Sequence, residues 1–89
     1  MTANQLLQAL QIALQQRGIS SFISATNQPG LNVVEDDRIV RVEVGASDEP
    51  VIYVWRDEEN NLYQESPLAT LRRLSKWARA ATASAENPS

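Results

Sequence analysis

Cysteine and histidine are both absent from this chain of 89 residues. Without thiols there is neither a disulfide framework nor a thiolate metal site. Without imidazole the commonest general base and the usual transition-metal ligand are missing as well. Glycine is scarce, and Gly18, Gly30 and Gly45 stand far apart, so no glycine-rich loop is available to cradle a phosphate. No apolar run approaches the ~20 residues needed to span a bilayer, and Met1-Thr2-Ala3-Asn4-Gln5 carries no basic leader region. The expectation is a cytoplasmic protein with no membrane segment, no cofactor and no enzymatic activity.

What is present is ordinary globular composition, with 43% hydrophobic and 21% charged residues. That lies well away from the compositions of disordered chains. A chain this short has room for one core, held by apolar packing alone. The formal net charge of -3 hides a segregation. Ten acidic residues fall between Glu35 and Glu65, accompanied by Arg38, Arg41 and Arg56, whereas the charges from Ser66 to Thr82 are Arg72, Arg73, Lys76 and Arg79. Two readings follow: elements that attract each other within one fold, or a nucleic-acid patch on the basic part. The small basic count and the acidic total favour the first.

Thr2 with Gln5 three residues on matches a capping box, and Leu6, Leu7, Leu10, Ala13 and Leu14 recur at helical spacing. A helix is predicted over Ala3 to Arg17, stopped by Gly18. Its polar face is rich in uncharged amides, and Ile12 lies opposite the apolar stripe. Beyond Gly18 the period becomes extended. Ile19 to Ala25 alternates weakly, Asn27-Gln28-Pro29-Gly30 is turn chemistry, and Leu31 to Glu35, Arg38 to Val44 and Val51 to Arg56 read as strands. Leu62 to Glu65 adds a short edge strand. Ser66-Pro67 starts a second helix, running to about Ala81 with Leu71, Leu74, Trp77, Ala78 and Ala81 on one side and the four basic residues on the other. The predicted fold class is a two-layer α+β domain over residues 1–81, with an N-terminal helix, an antiparallel meander of three to five strands and a C-terminal helix. Residues 82–89 are expected to form a disordered tail.

A two-residue turn at Asp36-Asp37 pairs Glu35 with Arg38, Val33 with Val40 and Leu31 with Val42. Pairing Val44 with Val51 then aligns Val42 with Tyr53 and Val40 with Trp55. This register gathers Leu31, Val33, Val40, Val42, Val44, Val51, Tyr53 and Trp55 on a core face, where a one-residue slip would expose both aromatics. The opposite face carries Asn32, Val34, Ile39, Arg41, Glu43, Ile52, Val54 and Arg56, with Phe22 near Val34. Four β-branched aliphatics there point to cover by another chain, although strands favour such residues in any setting.

Other chemistry is sparse. Lys76, the one lysine, has arginines at helical distances, and a solvated helix position is the simplest account of it. Glu35-Asp36-Asp37 and Asp57-Glu58-Glu59-Asn60-Asn61 hold carboxylates without the glycine and bidentate glutamate of a calcium loop, so no metal site is expected. Trp55 and Trp77 are expected in the core, each indole N–H reaching an acceptor at its rim. The resulting functional expectation is a noncatalytic protein-interaction module, a homodimer or an adaptor or chaperone-like accessory protein. Its contact residues would be Val34, Ile39, Arg41, Ile52 and Val54, with Arg41, Glu43 and Arg56 as a polar rim. The alternative is a nucleic-acid-associated regulator using Arg72, Arg73, Lys76 and Arg79.

Overall fold

The computed structural model describes residues 2–25, 28–45 and 50–86, with backbone alone for Ala25 and for 81–86. The helix α1 spans Ala3–Gln16 and opens on the capping box: the Gln5 amide donates to the Thr2 hydroxyl, and the Thr2 amide donates to the Gln5 side chain. At the other end Gly18 sits at φ 76°, the left-handed conformation that costs other residues most. The Gly18 amide bonds the Gln15 carbonyl and the Ile19 amide bonds the Leu14 carbonyl. That is a complete Schellman turn, and its accompanying apolar contact is supplied by Ile19 and Leu14, both buried in the core cluster.

Five strands follow as an antiparallel meander in the order β1-β2-β3-β4-β5. They are β1 Ser20–Ala25, β2 Pro29–Glu35, β3 Arg38–Val44, β4 Tyr53–Arg56 and β5 Leu62–Glu65. The Asp36-Asp37 turn sets the expected pairs of β2 with β3, and Asp36 takes the positive φ that the turn requires. Two details differ from expectation. Pro29 and Gly30, read as turn residues, are the first residues of β2 and pair with Ala25 and Ser24. Proline is tolerated at the first position of a strand. More consequentially, β3 and β4 are displaced by two residues, so that Val44 faces Tyr53 and Val42 faces Trp55, and β4 begins at Tyr53 rather than Val51. The expected register would set Gly45 against Pro50, which has no amide to donate. Instead the Gly45 amide bonds the Ile52 carbonyl at 2.7 Å. A shift of two preserves the face of every side chain, so the core face stands.

The helix α2 spans Pro67–Glu86, with Ser66 as its cap: the Ser66 carbonyl accepts from the Thr70 amide at 2.9 Å. It continues beyond Ala81 because the run from Ala80 to Ala85 is rich in the strongest helix former. The expected tail therefore begins as helix, and residues 87–89 lie outside the described part. Both helices cover the same side of the sheet. Leu7, Leu10 and Leu14 of α1 and Leu74, Trp77 and Ala78 of α2 form one buried cluster with Leu31, Val33, Val40, Val42, Tyr53 and Trp55. Val44, Val51, Leu6 and Leu71 complete its margin. Each fully buried aliphatic side chain contributes about 1.5–3 kcal/mol. The Tyr53 hydroxyl donates to the Leu6 carbonyl, pinning α1 to β4, and burial pushes its pKa up. The buried hydroxyls of Thr70 and Ser75 donate to the Glu65 and Leu71 carbonyls. Among the described residues no helix is long and apolar enough to cross a membrane.

Candidate functional site

Because both helices lie on one side, the other side of the sheet has no layer over it among the described residues. Strand pairing places Phe22, Asn32, Val34, Ile39, Arg41, Glu43 and Val54 on that outer side. Phe22 is 50% exposed and Ile39 55%, values far above those of any core residue. Val34, Arg41, Ile52 and Val54 are half-buried. At the far edge Leu62, opposite Arg56, is also exposed.

The Arg41 guanidinium lies over the β1–β2 hairpin end of the face. It donates to the Ser24 hydroxyl at 2.6 Å, to the Gln28 carbonyl at 2.7 Å and to Glu43 at 3.1 Å. Asn32 also donates to Ser24. Gly30 makes room for this, since a Cβ there would stand 2.4 Å from the Arg41 guanidinium carbon. The face thus has a hydrogen-bonded polar group at the β1–β2 hairpin end, with Phe22, Val34 and Ile39 on its β2–β3 turn side and Ile52 and Val54 on its β4 side. Arginine is long enough to cross β2 and reach β1, so its charge ends two strands away from its own backbone.

The strand edge beside this face is partly occupied. Gln11 of α1 donates to the Ser21 carbonyl of edge strand β1 at 3.1 Å. The amide-rich side of α1 therefore has one definite use, in covering an edge.

A second polar assembly ties the layers together. Glu58, in the β4–β5 turn, receives both nitrogens of Arg38 at 2.9 and 2.7 Å and the indole N–H of Trp77. Arg38 also lies over the Trp77 ring, 4.4 Å from its centre. These donors hold the Glu58 carboxyl below its usual pKa, Arg38 first and Trp77 second. Asp57 is lowered too, chiefly by the Asn61 backbone amide, and Tyr63, which donates to Asp57 at 2.9 Å, is raised by that bond. Trp77 meets the expectation of a rim acceptor. Trp55 does not, for its indole N–H is buried without a partner, as is the Ser21 hydroxyl.

Of the four basic residues of α2, one is paired within the fold. Arg73 pairs with Glu65, lowering that carboxyl, and lies over the Tyr63 ring at 4.5 Å. Arg72, Lys76 and Arg79 are exposed and have no carboxylate partner among the described residues. Internal charge balance accounts for one of the four. Together with Arg17, the residue that ends α1, they line a groove of about 450 Å³. Arg17 was missed because sequence spacing relates residues within one helix, and the packing of α1 beside α2 is a tertiary event. Among the described residues no group of His, Cys, Asp or Glu is placed to hold a metal ion.

No family model, curated protein or solved structure gives a significant match to this chain.

Proposed function

We propose that this protein is a noncatalytic protein-interaction module whose outer sheet face takes another protein chain, a second copy being the first candidate. The supporting observation is the one-sided placement of both helices, which leaves Phe22, Val34, Ile39, Ile52 and Val54 on a face with no layer over it. A sheet face solvated on one side ordinarily alternates to polar residues. Here the polar group around Arg41 is already satisfied within the chain, so covering it carries little penalty for unpaired charge, while the apolar groups beside it gain from burial. Sheet faces of this kind pack about 10 Å apart with interdigitating side chains.

Light scattering coupled to size-exclusion chromatography tests the reading. The parent chain is expected to self-associate as concentration rises, and Ile39→Lys or Ile52→Lys to weaken that association while leaving the far-UV spectrum unchanged. Ile39 is the better probe, as the more exposed of the two. A parent that stays monomeric at high concentration refutes self-association.

A further inference from the structure

We infer that the groove between the end of α1 and α2 is a second interaction site, on the helical layer, for a short acidic segment of a partner protein. Arg72, Lys76 and Arg79 follow at i, i+4 and i+7, a single stripe about 10 Å long at 1.5 Å per residue. Arg17 reaches the same hollow from α1, so the cations come from two elements and flank a concave surface rather than a flat helix side. None of these four has a described carboxylate partner. Concentrating like charges in a groove raises its potential and favours a ligand that neutralises them.

The ends of the groove narrow the choice of ligand. Glu65 lines one end. At the other, an adjoining hollow of about 250 Å³ shares Arg17, Ser75 and Arg79 and includes Glu35, which leads into the Asp36-Asp37 turn. Glu65 is paired with Arg73, but at the other end a continuous polyanion such as a nucleic acid would run from the cations onto Glu35 and the Asp36-Asp37 turn. No aromatic side chain lines either hollow to stack on a base. A few consecutive acidic residues in an extended segment, at about 3.3 Å per residue, match the stripe and stop before the acidic end.

The test is fluorescence anisotropy with a labelled oligoglutamate peptide in about 0.1 M salt, where charges on the far face are screened. Binding that weakens with added salt is expected, with about two- to fivefold loss of affinity for each cation removed, the range for exposed charge pairs. The triple variant Arg72→Gln, Lys76→Gln, Arg79→Gln should bind far more weakly. Arg17→Gln alone should also weaken binding, because that residue belongs to the groove and not to the helix stripe. Arg56→Gln, on the outer sheet face, should leave it unchanged, and so should Ile39→Lys, which separates this site from the sheet-face reading. Failure of the peptide to bind, equal binding by the Arg17→Gln variant, or tighter binding of a single-stranded oligonucleotide of equal charge through the same residues would each overturn the proposal.

Discussion

Val42 lies at the centre of the architecture, on the middle strand, facing the helices and 0% exposed. Replacing it by alanine removes two carbons from a filled core. At about 0.8 kcal/mol per buried methylene the transfer loss is about 1.6 kcal/mol. If the surroundings do not relax, a void of roughly 50 Å³ adds about 1.2 kcal/mol at ~24 cal/mol per Å³. The expected cost is therefore about 1.6–2.8 kcal/mol, against a total of roughly 4–13 kcal/mol for a chain of this length. At about 4–8 °C per kcal/mol the melting temperature should drop by roughly 6–22 °C. Ile39→Ala is the matched comparison on the same strand and opposite face. Its cost should stay within about 1 kcal/mol, the span of strand propensity. Urea unfolding followed by the fluorescence of the two core tryptophans measures both, at a concentration low enough to keep the chain monomeric. If Val42→Ala costs no more than Ile39→Ala, the faces are exchanged and the register argument fails. Val42→Asp should abolish folding, since it buries a charge without a partner.

The lowered carboxyls of Asp57, Glu58 and Glu65 bear on acid stability. A folded-state pKa below the unfolded value of about 4 contributes stability above that pH, lost as pH falls through the folded values. The melting temperature should decline below about pH 4, and Glu58→Gln should make the decline shallower. Gly18→Ala meets no atom within 4 Å of its new Cβ, yet it must hold φ at 76°, so a loss of about 1–2 kcal/mol from backbone strain alone is expected in thermal unfolding. Tyr53→Phe removes the hydroxyl bond to Leu6 and should cost about 0.5–1.5 kcal/mol by the same assay; no loss would show that the bond does not hold α1.

The elements of this fold are legible because each is signalled by more than one local rule. Thr2 and Gln5 mark the start of α1 while Gly18 marks its end, and both signals agree with the leucine period between them. The hairpin at Asp36-Asp37 sets a register that the alternation of Val33, Val40 and Val42 independently supports. The β3–β4 register is less legible, since the period of two cannot distinguish displacements of two residues, and the deciding fact is which residue lacks an amide. Pro50 carried that signal. The polar group on the outer face was hidden for another reason: strand periodicity locates Cβ atoms, whereas the charge of Arg41 sits at the end of a long side chain, in space left by Gly30 on the neighbouring strand.

The charge pattern shows how linear segregation differs from spatial pairing. An acidic middle and a basic end imply attraction between sheet and helix, but most of the acidic groups are used nearer home. Glu43 is bound by Arg41 within β3, and Asp57 by its own turn and Tyr63. Across the layers, Glu58 is held by Arg38 and the Trp77 indole, and Glu65 by Arg73. Among the described side chains, removing these pairs leaves Glu35, Asp36, Asp37 and Glu59 at exposed or half-exposed positions, Arg56 on the outer sheet face, and Arg17, Arg72, Lys76 and Arg79 around the helical groove. What remains after internal pairing is thus more sharply divided in space than the sequence is along its length. A field of that kind is screened within about 10 Å at 0.1 M salt, so it acts on whatever enters the groove and little on the far side of the sheet. The two faces of the domain are therefore electrically independent, which is why substitutions on one can test it without disturbing the other.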